Sequence, residues 1–144
     1  MWADTLLAAE RAHLLRVAMW AMASIVAGTS IFLIGRIRPG AAPVLRQFAV
    51  LSVTCGVVEL AIVWGRRSSI GLRDLAGARQ LERLLWLNCG LDVGYLGVGV
   101  TLALACWFVG RRLGGVGAGI GIATQGVALL WLDLVFANAL SGAI

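Results

Sequence analysis

The chain has 144 residues, of which 60% are hydrophobic, 13% are charged and 19 are glycine, and its mean hydropathy is +0.93. An ordinary soluble domain carries about 25% charged residues and a disordered chain is poor in apolar ones, so both classes are excluded. The net charge is +5, yet the basic residues are all arginines and most lie near the ends of apolar runs, where anionic lipid headgroups account for them and no nucleic-acid partner is called for.

Those runs cover residues 17–37, 44–64, 84–109 and 116–140. Each can cross a hydrocarbon core of roughly 30 Å, which takes about 20 residues. They are continuous rather than alternating, which disfavours a β-barrel. The expected fold is an all-α integral membrane protein: a four-transmembrane-helix antiparallel bundle with an amphipathic N-terminal lead-in, forming a single transmembrane domain over residues 1–144. The helices are expected at about 3–37, 43–65, 72–109, either straight or bent near 83, and 115–141.

Residues 2–16 mix apolar Trp2, Leu6, Leu7 and Leu14 with polar Asp4, Glu10, Arg11, His13 and Arg16. No glycine or proline separates them from the first span, so a continuous helix reaching Gly35 is favoured over one lying in the interface. The span is too long for the core of a cleaved signal and is read as a true first helix. A helix end is expected between Gly35 and Pro43, where Pro39, Gly40 and Pro43 cluster. The connection 65–83 is polar at first, then helical from Leu72 onward.

A short turn carrying Arg111 and Arg112 precedes the fourth span, which opens with Gly115, Gly117, Gly119 and Gly121. No strand precedes this string and no lysine follows it as a phosphate loop requires. In a membrane helix such glycines permit close helix contact. Cys55, Cys89 and Cys106 lie inside spans without a CxxC pair and read as small apolar fillers.

Four spans place both termini on one side, with the 65–83 connection. That side carries Arg11, Arg16, Arg66, Arg67, Arg73, Arg79 and Arg83, against Arg36, Arg38, Arg46, Arg111 and Arg112 on the other. The positive-inside bias puts both termini in the cytoplasm of a bacterial-type cell membrane. Trp20, Trp64 and Trp86 near one surface and Trp107 near the other fit interfacial anchors.

Ionisable groups inside a span are costly and call for partners. Glu59, Asp92 and Asp133 lie on three helices at depths of about 7.5, 12 and 10 Å from the terminal side, at 1.5 Å per residue. On the third helix Asn88, Asp92, Tyr95 and Gly99 share one face, so Asn88 and Tyr95 can bracket Asp92 with donors. On the second, Ser52, Cys55, Glu59 and Arg66 form a stripe, with Arg66 able to reach toward Glu59. On the first, Glu10, His13, Ser24, Gly28 and Gly35 line one face. On the fourth, Gln125 and Asp133 lie on one side and Asn138 points elsewhere.

The bland reading is that these groups are interhelical glue. The sharper one is a ligand site of Glu59, Asn88, Asp92, Tyr95 and Asp133, open toward the terminal side and suited to an amphipathic molecule of unknown identity. A proton or solute transporter and a metal protein are the alternatives. Glu10 and His13 have the E-x-x-H spacing of carboxylate-bridged bundles, but a second histidine is missing. No catalytic set is present, so the protein is read as non-catalytic. Membrane lipids are the expected partners, with a homo-oligomer or a place in a larger membrane complex also allowed.

Overall fold

Residues 2–27 contain neither glycine nor proline, and they join the following apolar run in one uninterrupted helix. In the computed structural model, which describes residues 2–37 and 43–142, this is α1, Trp2–Ile37. The lead-in is therefore the foot of the first helix. The expected helix end at Pro39 and Gly40 falls outside the described residues. Pro43 opens α2, Pro43–Arg67, at a helical first position where its missing N–H costs no hydrogen bond.

The third helix, α3, runs Leu75–Phe108 without a break at residue 83. It starts three residues later than expected from Leu72. Asp74 has extended backbone (φ −77°, ψ 176°) and its carboxylate accepts the Gly77 N–H at 2.8 Å. That satisfies an orphan donor of the first turn and sets the helix start. At the far end Gly110 adopts φ +113°, and the Arg112 N–H returns to the Cys106 carbonyl at 2.8 Å. The chain is thereby reversed into α4, Leu113–Ser141.

The fold is a four-helix bundle, and each helix is long and apolar enough to cross a membrane. This is a multi-pass membrane protein. Its helices pair unequally: α1 lies along α2, α3 along α4, and α2 also meets α4, while α1 meets α4 less extensively. Among the described residues, the backbone of α3 approaches that of α4 alone.

Small residues make these seams. A Cβ on Gly28 would meet the Ala49 carbonyl at 2.8 Å, and one on Gly56 would meet the Ala21 carbonyl at 2.7 Å. The glycine string of α4 resolves into two interleaved faces. Gly117 and Gly121 turn to Val44 and Leu51 of α2, whereas Gly115 and Gly119 turn to Cys106, Gly99 and Ala103 of α3. Successive pairs four residues apart share a face, so alternate glycines serve different neighbours.

Large buried side chains gather at the terminal end instead: Leu6, Leu81, Leu85, Phe136 and Leu140 form one cluster. At 36 residues α1 is about 54 Å long, well beyond the roughly 30 Å of hydrocarbon. Lipid gives little hydrophobic reason for helices to associate, so close approach carries the seams, whereas a part of α1 that extends beyond the hydrocarbon into water would need an apolar core. Trp64, Trp86 and Phe108 are exposed and face the surroundings of the bundle.

Candidate functional site

Just above that terminal cluster the seams diverge around a group of polar side chains. Position 59 continues the buried 49–52–56 series of α2, so the helix period alone turns Glu59 inward. Asp92 follows from the same logic on α3 after Leu81, Leu85 and Cys89. Asp133 comes from α4 and His13 from α1. All four are buried, each at 7% exposure or less.

They surround a cavity of about 270 Å³. From α1 it is lined by His13, Leu14 and Val17, and from α2 by Glu59, Ile62, Val63 and Arg66. Asn88, Leu91, Asp92 and Tyr95 of α3 and Leu129 and Asp133 of α4 complete it. The three acids expected at one depth thus reach one space. Glu59, Asn88, Asp92, Tyr95 and Asp133 all line it.

Their hydrogen bonding differs from the expectation. Among the described residues, Glu59 Oε2, Asp92 Oδ2 and His13 Nδ1 are buried with no hydrogen-bond partner. Asn88 and Tyr95 do not bracket Asp92: Asn88 is half-buried, and Tyr95 is 54% exposed at the cavity mouth. Residues three or four apart on one helix are close enough to interact, but a shared face does not fix where their polar ends point. Arg66 lines the same cavity but forms no ion pair with Glu59 among the described residues. It lies within electrostatic reach of His13 and Asp133 instead.

The E-x-x-H pair is divided between two tasks. Glu10 receives two hydrogen bonds from Arg73, Nη2 to Oε1 at 2.8 Å and Nε to Oε2 at 3.2 Å. This fork ties α1 to the connection before α3 and holds the Arg73 guanidinium pKa above its ordinary value. His13 turns Nε2 to Asp133 Oδ1 at 3.3 Å and stacks on Phe136 with ring centroids 4.5 Å apart. Among the described residues no three His, Cys, Asp or Glu side chains are grouped to hold a metal ion.

One polar network escaped the sequence reading. The Trp20 indole donates to Gln125 Oε1 at 2.6 Å, and Gln125 Nε2 donates to Ser24 Oγ at 3.2 Å. Trp20 therefore points into the bundle, in contrast to the expected interfacial anchor. The signal was present: Trp20, Ser24 and Gly28 recur every four residues on the buried face of α1. Trp107, by contrast, is exposed and lies under Arg111, whose guanidinium carbon is 5.6 Å from the ring centre. Asn138 is exposed, pointing away from buried Gln125 and Asp133.

A family of unknown function, DUF6992, matches residues 16–134. The chain belongs to that family. No curated protein and no solved structure matches it. The DUF6992 match takes in Glu59, Asp92, Asp133 and the Trp20–Ser24–Gln125 network. His13, which lines the cavity, and Phe136, on which it stacks, lie just outside it.

Proposed function

We propose that this protein is a non-catalytic binder of an amphipathic small molecule, whose head enters the cavity between the four helices while its tail lies in lipid. The observation that carries the reading is a pair of carboxylates, Glu59 and Asp92, that line one cavity and each keep a buried oxygen without a hydrogen-bond partner. A buried acceptor without a donor is costly, and interhelical glue would supply the donor from a neighbouring helix.

Size favours an amphipath. Pockets that enclose a whole ligand usually measure about 300–1,000 Å³, and this one has only about 270 Å³. It accommodates a head with little tail. Between α2 and α3 the backbones make no close approach. Ile62, Leu91 and Tyr95 line the cavity there and are each more than half exposed, giving an apolar exit at the level of the membrane.

The test is native mass spectrometry of the protein extracted gently from its own membrane. A reproducible added mass that is lost in Leu91→Trp, which fills the exit without touching a carboxylate, supports the reading. Identical bound species in the wild type and Leu91→Trp sink it. The same spectra count subunits and larger partners. With most arginines on the terminal side, the reading also puts the cavity near the cytoplasmic face; impermeant labelling of a cysteine introduced at Ser69 tests that orientation.

A further inference from the structure

Resting on that reading, we infer that the head bound by Glu59 and Asp92 is a protonated amine carrying at least two N–H donors. The charged groups facing the cavity are His13 from α1, Glu59 and Arg66 from α2, Asp92 from α3 and Asp133 from α4. Asp133 already has His13 as its neighbour at 3.3 Å. His13 Nδ1 is itself a buried atom without a partner, and of the acids Glu59 and Asp92 remain, on helices whose backbones do not approach each other. Each has a buried oxygen without a donor.

A head that satisfies both must donate twice and carry positive charge. A primary ammonium has three donors and no acceptor, and fits both demands. A hydroxyl has one proton to give and leaves an oxygen unpaired. A quaternary ammonium brings charge without an N–H. A carboxylate or phosphate head would add negative charge to a site where three acids face one arginine, and repulsion in a poorly solvated cavity is strong. The apolar exit past Leu91 and Ile62 takes an alkyl tail, so the ligand class is a lipophilic primary or secondary amine.

The experiment is equilibrium dialysis of the full chain in phosphatidylcholine nanodiscs against octylamine, octyltrimethylammonium, octanol and octanoate, with empty nanodiscs as the blank. The expected result is saturable octylamine binding, with the other three at least about tenfold weaker, the loss of one charge-assisted hydrogen bond. Glu59→Gln and Asp92→Asn each weaken octylamine by about tenfold, while Glu82→Gln on the exposed surface leaves it unchanged. The headgroup comparison in the wild type stands even if one of these variants fails to fold, as judged by circular dichroism and gel filtration.

Octanol or octanoate binding as tightly as octylamine overturns the amine inference and leaves the binding reading in place. So does octylamine binding that Leu91→Trp abolishes but neither carboxylate variant alters. Absence of saturable binding by all four compounds overturns both.

Discussion

His13 Nε2 stands 3.3 Å from Asp133 Oδ1, joining α1 to α4 across a pair of helices whose backbones meet only lightly. The ring's face rests on Phe136, one turn further along α4. One imidazole thus closes the terminal side of the cavity with its edge and seals the apolar cluster with its face.

Removing either half of this pair should be felt through the other. His13→Ala and Asp133→Asn are each expected to destabilise the bundle, with a coupling of about 1 kcal/mol, the range found for buried polar pairs in membrane proteins. His13→Phe keeps the stacking and should recover part of the loss. The measurement is a double-mutant cycle of unfolding in mixed micelles. Additive single losses would show that the two residues do not interact.

The Glu10–Arg73 fork should behave asymmetrically. Glu10 is 3% exposed, whereas the Arg73 side chain is 27% exposed. Arg73→Ala strands a buried carboxylate and should cost about 1–3 kcal/mol, discounted from the fully buried case because solvent reaches the arginine. Glu10→Gln leaves a neutral acceptor for the same guanidinium and should cost less. Thermal stability of the two variants in one detergent decides, and an equal or reversed order would count against the fork as a structural tie.

Glycines on α3 should divide into two groups. A Cβ on Gly99 would run into the Ala123 backbone and the Gly119 carbonyl, whereas one on Gly94 meets nothing within 4 Å. Gly99→Ala is expected to push α3 off α4 and cost about 1–3 kcal/mol, and Gly94→Ala to stay within about 0.5 kcal/mol of the parent. Parallel melting curves test this. Equal effects would mean that the α3–α4 seam does not use Gly99.

Trp20 and Gln125 should be non-additive. Trp20→Phe leaves Gln125 Oε1 without its 2.6 Å donor and should cost about 1 kcal/mol. Gln125→Leu removes the unpaired amide, so the double variant should be less damaged than the sum of the singles. A double variant that is fully additive in unfolding free energy would disprove the coupling.

Much of this was legible before any tertiary contact was known. Four apolar runs define four helices, since an unpaired backbone in lipid leaves the helix as the available answer for runs of this kind. Distance along a helix is also local: a rise of about 1.5 Å per residue placed Glu59, Asp92 and Asp133 at one depth from residue counting alone. The cavity is where that count led. The start of α3 lies three residues beyond the onset of the apolar pattern at Leu72 because a capping residue, Asp74, sets the first turn with its carboxylate.

Direction around each helix was another matter. In water, a helix shows its buried face as an apolar stripe, but here lipid and protein interior are both apolar, so hydropathy does not distinguish them. The tertiary structure alone decided that, among the described helices, the backbone of α3 comes close to that of α4 alone, that alternate glycines of α4 serve two different helices, and that Trp20 points inward. It also buried His13, which in a polar lead-in looks like a solvated residue, because α1 continues unbroken and Asp133 and Phe136 arrive beside it from a helix over a hundred residues away. The chain's own sequence determined the number, length and depth of its parts; neighbours, and with them the unpartnered oxygens of Glu59 and Asp92, came from long-range packing that no local pattern encodes.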